Sequence, residues 1–174
     1  MTSLYILTKY LTFPGALVRC MWEQIVCRIC KITVEDNRYL RKDEMISHIE
    51  HDFMPKAQGA FAICFVPAFM NAIGAFLLCL APIMFTLYVK IDDTALTAVN
   101  IVAYWFAFSL MVNSYPLIED AWNMIEKIYK KGNILKKTLY APAAALLFAG
   151  AYAEKYCITF IIYAAFTAAV TVLL

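Results

Sequence analysis

The sequence predicts an all-α integral membrane protein, with about three to five transmembrane or membrane-embedded helices and one short interfacial amphipathic helix. Three observations predict it. First, 63% of the 174 residues are hydrophobic and only 16% are charged, where soluble domains run nearer half apolar and a quarter charged. Second, the charges are segregated: none occurs from Ala57 to Val89, Thr94 to Ile118, Thr138 to Ala153 or Tyr156 to Leu174. Apolar runs of about 18 or more residues are long enough to cross a hydrocarbon core. Third, the basic residues gather in two segments, 32–56 and 119–137, while the turn between them offers Lys90 against Asp92 and Asp93. The positive-inside rule then places 32–56 and 119–137 in the cytoplasm and the 90–93 turn outside, as expected of a multi-pass membrane protein.

Taken in order, residues 1–13 are a short lead-in. They lack both a basic run ahead of the apolar part and an obvious small-residue cleavage site, so no removable signal peptide is expected. Pro14-Gly15 predicts a helix start, because proline suits the first turn, and a helix over 14–31 follows. It carries Arg19, Glu23 and Arg28, which predicts an embedded or interfacial helix tucked against others. Residues 32–56 are the most polar stretch and read as a strand-like or irregular surface connection. The run 57–89 would measure roughly 50 Å as one helix, longer than the apolar core, with Pro67 and Pro82 as places for a break or kink. Residues 94–118 cross back. In 119–132, Trp122, Ile125 and Ile128 recur at helical spacing with Gly132 as the stop, predicting an amphipathic surface helix. Residues 138–174 are apolar except for Glu154-Lys155 and form either one long helix or, as favoured, a hairpin turning near Glu154. The pair itself reads as a loop tip or a helix exit, with no chemistry attached. The whole is a single membrane domain.

The net charge of +2 and the lack of basic residues interleaved with aromatic ones give no reason to expect a nucleic-acid partner. The six cysteines, at 20, 27, 30, 64, 79 and 157, show no disulfide framework. There is no glycine-rich phosphate loop, no internal repeat, and no nucleophile–His–Asp set.

The stretches "TFPG" (12–15), "RCMWE" (19–23), "VPAFMNAIGAFLL" (66–78) and "SYPLIEDAWNMI" (114–125) occur in an order that resembles a family of small prokaryotic zincin-like membrane metalloproteases, similar to site-2 proteases. In that family a comparable turn leads into a helix bearing HExxH, and a later proline-containing stretch ends in an aspartate. The resemblance implies that Arg19 stands at the first histidine position, Cys20 at the glutamate and Glu23 at the second histidine, with Asp120 matching the third ligand. Two imidazoles one turn apart are what a zincin needs to reach one zinc ion. Arginine keeps its proton and places a fixed cation where the metal would sit. The resemblance therefore implies a degenerate site with no catalytic residue and no cofactor, zinc being the weaker alternative. One reading of the residues left is that Arg19 takes over the cation's role and holds Glu23 and Asp120 together. Another is a plain Arg19–Glu23 pair one turn apart.

Weaker metal candidates are Cys27 and Cys30, on the helical face that also carries Cys20 and Glu23, and the pair His48 and His51. The four side chains on that face span roughly 15 Å, too far for one ion, so a thiol-lined packing face is the plainer reading. For the histidines the plainer reading is a solvated surface. Asn71 and Gly74 are expected at a helix-packing face or cleft, Asn71 through an interhelical hydrogen bond. The function expected is a catalytically inactive membrane pseudoprotease acting as a scaffold or assembly component, with the bilayer and a second copy or another membrane protein as partners. The alternatives are an intramembrane zinc protease with atypical ligands and a small transporter or channel component.

Overall fold

The computed structural model describes residues 3–36, 39, 49–88, 94–131 and 134–173. Among them the chain is all-α apart from one small hairpin. The helices are α1 (Ser3–Leu11), α2 (Phe13–Cys30), α3 (Ala57–Tyr88), α4 (Thr94–Val112), α5 (Ile118–Lys131), α6 (Ile134–Lys155) and α7 (Ile158–Leu173). Strands β1 (Val34–Asp36) and β2 (Glu50–His51) pair antiparallel, with Val34 opposite His51 and Asp36 opposite Glu50.

The expected lead-in is itself helical. It hands over to α2 at Thr12, and Pro14 lies in the first turn of α2, where its missing N–H costs nothing. Helix α2 ends with Lys31 in the left-handed region (φ 57°), its N–H donating to Arg28 O. The N–H of Ile32 donates back to Cys27 O at 2.9 Å. These bonds satisfy carbonyls that a helix end leaves open, and the chain then turns into β1.

Pro67 and Pro82 do not divide the 57–89 run, because α3 is one helix through both. Pro67 sits on the buried face, in line with Ala60, Cys64, Asn71 and Ala75. Packing against α2 and α4 along that face holds the helical path despite the lost ladder bond. The opposite face carries exposed Phe65, Phe69, Ile73, Phe76 and Leu80 at spacings of three and four. Residues 57–80 form a helix long and apolar enough to cross a membrane, and only 28% of its most apolar stretch is buried.

The amphipathic helix expected at 119–132 is present as α5, but its inner face differs. Ala121, Met124 and Ile128 are buried while Trp122 is half exposed, its ring lying edge-on to Phe148 at 5.1 Å. Gly132 lies outside the described residues, as do the 90–93 turn and most of 37–48. The favoured hairpin in 138–174 is also revised. Helices α6 and α7 meet at 89°, an elbow with Cys157 at φ 59°. Taken as a broken pair they pass the test for a second span.

The main apolar core joins α2, α3, α5 and α6 through Val26, Ile63, Cys64, Met124, Ile128 and Leu147, with Met54 sealing it from the hairpin side. A smaller cluster, Ala75, Ala107 and Leu110, binds α3 to α4. Two glycines set the closest approaches. A Cβ on Gly15 would lie 2.1 Å from Ser109 O, and one on Gly150 would lie 1.9 Å from the Tyr115 ring. Only a residue without a side chain allows a backbone, at Gly15, or an aromatic ring, at Gly150, so near.

Candidate functional site

The inner face of α2 places Arg19 one turn before Glu23, and both are completely buried. Arg19 Nε donates to Glu23 Oε1 at 2.7 Å. Its Nη1 donates to Glu154 Oε1 at 3.2 Å, so the guanidinium bridges α2 to the end of α6. Lys9, on α1, donates to the same Glu154 oxygen, and Glu154 Oε2 accepts the Tyr115 backbone N–H at 3.1 Å. Glu154 thus receives donors from α1, α2 and the α4–α5 turn. Two cations face two carboxylates, so the junction is neutral as a set. Charges taken out of water require such pairing.

Lys9 also donates to Asn113 Oδ1 at 2.7 Å. The Asn113 amide nitrogen in turn donates to Thr12 O and Thr12 Oγ1, both at 2.9 Å. Ser109 Oγ accepts the Gly15 N–H at 2.7 Å and donates to Thr12 O at 2.6 Å. Asn71 Nδ2 donates to Asn113 O at 2.9 Å and reaches Gly15 O at 3.4 Å. Asn71 is therefore an interhelical fastener, holding α3 to the place where α2 begins and α4 ends. Gly74 lies one turn on, where an added Cβ would stand 3.2 Å from Leu110 Cδ1.

A second charged contact lies toward the hairpin. His51 Nε2 stands 3.5 Å from Asp120 Oδ1, with both side chains nearly buried, and His51 Nδ1 is 2.9 Å from Asp52 O. Burial by itself would lower the histidine pKa. The Asp120 carboxylate and the Asp52 carbonyl outweigh it and hold His51 up at about 9. The charged form of the imidazole is therefore favoured at neutral pH, facing the Asp120 carboxylate.

The structure revises the reading in which Arg19 joins Glu23 to Asp120. Arg19 joins Glu23 to Glu154, and Asp120 faces His51. Arg19, Glu23 and Asp120 nonetheless share one buried region, since Glu23 lies within electrostatic reach of both Asp120 and His51. Cys20 and Cys27 are buried beside this face and Cys30 is half-buried, all three as free thiols. His48 lies outside the described residues. Among the described residues no three His, Cys, Asp or Glu side chains converge as a ligand set.

Sequence reasoning named Glu154 only as part of a loop tip or helix exit and gave Lys9 and Asn113 no role. The available signal was that Lys9 and the Glu154-Lys155 pair stand in otherwise apolar segments, where a charge needs a partner. What could not be read was that Lys9 and Glu154 are each other's partner, 145 positions apart.

No protein-family model, no curated protein and no solved structure matches this chain.

Proposed function

We propose that the chain is a multi-pass integral membrane protein of the pseudoprotease kind, in which the position of a zincin-type metal site has become a structural clamp. Its role on this reading is that of a scaffold or assembly component, holding a second copy or another membrane protein. The observation that carries it is Arg19: fully buried at the first histidine position of "RCMWE", and bonded both to Glu23 at the second position and to Glu154. A guanidinium keeps its charge throughout the working pH range. It does there, by pairing with carboxylates, what a divalent cation would do by coordination.

The membrane part of the proposal rests on the outward stripes. The face of α3 described above continues as exposed Val99, Val102 and Trp105 on α4, and as Ile161, Ile162 and Phe166 on α7. Exposed apolar stripes of this kind suit acyl chains. On the N-terminal side Leu4, Leu7 and Leu11 of α1 and Met21, Ile25 and Ile29 of α2 extend the same surface. This fits an embedded or interfacial α1–α2 pair.

The test is elemental mass spectrometry of detergent-purified protein, before and after chelation, together with alkaline extraction of membranes. The reading expects far less than one zinc per chain and retention in the membrane fraction. One tightly held zinc per chain would overturn the clamp. Release by alkali would overturn the membrane placement.

A further inference from the structure

Helices α5 and α6 lie antiparallel. Trp122, near the start of α5, packs edge-on to Phe148 near the end of α6 at 5.1 Å, and its Nε1 donates to the Tyr152 hydroxyl at 3.2 Å. The end of α5 at Lys131 and the start of α6 at Ile134 therefore share one corner of the molecule. From position 126 to 137 the sequence sets five lysines, at 127, 130, 131, 136 and 137, against Glu126 alone. Lys130 is exposed, and its bond to Glu126 at 2.7 Å faces solvent, where such a pair holds neither side chain firmly. Lys127 and Lys137 are half-buried, as suits a side chain whose stem packs while its ammonium stays solvated.

Lysines in the last turn of α5 answer the negative end of that helix, which accounts for Lys130 and Lys131. Lys136 and Lys137 have no such account. They lie in the first turn of α6, where the backbone already presents its positive end, and that turn contains no acidic residue. The next carboxylate along the chain is Glu154, buried at the far end of α6. The hairpin, with Glu35, Asp36, Glu50 and Asp52, meets α5 at its opposite end through His51 and Asp120, about 15 Å from Lys130 along the helix. The corner is also apolar. Trp122 and Tyr129 on α5, and Ile134 and Leu139 on α6, are exposed. Trp122, Glu126, Tyr129 and Lys130 follow the spacing of one helix face, so the surface passes from an aromatic ring to an ammonium group within about two turns. Tryptophan and tyrosine beside cations are the side chains of a headgroup layer.

We propose that the α5–α6 corner binds the headgroup of an anionic phospholipid. The phosphodiester is drawn to the lysines and to the first turn of α6, and the acyl chains lie against the exposed apolar side chains of the two helices. A zwitterionic headgroup brings its own ammonium toward the lysines and is disfavoured. Each lysine near a membrane surface favours the anionic lipid by roughly fivefold before screening. Exposed aromatic and aliphatic side chains beside the cations favour a lipid over a soluble acidic partner, which would need the charges alone. The inference rests on the membrane part of the reading above and names the lipid; it is independent of the zinc question.

The test is titration of the full-length protein in detergent with phosphatidylglycerol or phosphatidylcholine, the dissociation constant of the first bound lipid being read by native mass spectrometry. At low salt the wild-type protein is expected to bind phosphatidylglycerol roughly fivefold or more tightly than phosphatidylcholine. Lys127→Gln/Lys136→Gln/Lys137→Gln is expected to bring the two lipids to within about twofold, and the same three positions changed to arginine are expected to keep the preference. Arg28→Gln/Lys31→Gln/Lys56→Gln removes as many cations beside the end of α2 and the start of α3 and is expected to leave most of it. Absence of a preference in the wild-type protein overturns the proposal. So does a preference that the first variant leaves intact, or one that the Arg28, Lys31 and Lys56 variant abolishes equally. Equal competition by a soluble polyglutamate peptide would mean an acidic protein partner and would also overturn it. If alkali releases the protein from membranes, the membrane reading falls by itself. Flotation of the released protein with phosphatidylglycerol vesicles and not with phosphatidylcholine vesicles would then still support the corner, and no flotation would overturn it.

Discussion

Two ionic contacts lie on either side of Glu23 and behave as opposites. The Lys9–Arg19–Glu154 junction is built from groups that stay charged, buried where α1, α2, α6 and the α4–α5 turn meet. The His51–Asp120 contact is built on a titratable ring at the rim, where a two-residue strand meets α5. The first holds the helical body permanently. The second joins a hairpin to α5 through a cation that can be discharged. Buried ion pairs thus differ according to whether the cation is permanent and how many elements converge on it.

The most damaging way to break this contrast is at its permanent side. Glu154→Ala leaves Lys9 and Arg19 buried without their shared carboxylate, and removing one partner of a buried pair costs about 3–5 kcal/mol. The expected outcome is loss of the folded protein, or a steep fall in denaturation temperature in detergent. Glu154→Gln retains the acceptor for Tyr115 N–H and should be less severe. Next comes Gly15→Ala. Its methyl group would fall 2.1 Å from Ser109 O, forcing α2 and α4 apart for about 1–3 kcal/mol or more and disturbing the Thr12–Ser109–Asn113 bonds. Thermal melts of the variant protein check this.

The conditional side is tested by pH. The folded-state pKa of His51, about 9, lies above the unfolded value of about 6.5. Its contribution is therefore fully present below about 6.5 and is lost as pH rises through about 9. Wild-type protein should melt at a lower temperature at pH 9.5 than at pH 6, a slope that Asp120→Asn flattens. The smallest effect is expected on the outer stripe. Phe69→Leu, on the exposed face of α3, should change detergent-state stability by about 0.5 kcal/mol or less. A large loss there would mean that the stripe is packed against protein.

The pattern of legible and illegible features follows from range. The start of α2 at Pro14, the amphipathic character of α5 and the strand at Val34–Asp36 were written locally, in turn chemistry and periodicity. The Arg19–Glu23 pairing was equally local, since it needs only one helical turn. The partner of Arg19 beyond its own helix was not local. Asp120 was the expectation, and Glu154 fills the role because α6 ends beside α1 and α2. Trp122 matched the helical period of α5, but Phe148 and Tyr152 give its ring a resting place outside the core. The prolines of α3 were sound reasons to expect a break, and at Pro67 packing along the buried face outweighed it.

By itself, then, the sequence determined what its short-range physics controls. Charge segregation called for helices with apolar surfaces, and Arg19 in an apolar helix put a fixed cation inside the domain. Only the tertiary structure decided which carboxylates answer that cation, that Lys9 and Glu154 meet, that His51 faces Asp120, and that the C-terminal run turns through a right angle. The physical reason is that a buried charge demands a partner wherever one is available. Sequence spacing announces the demand, but which partner meets it depends on how the helices pack.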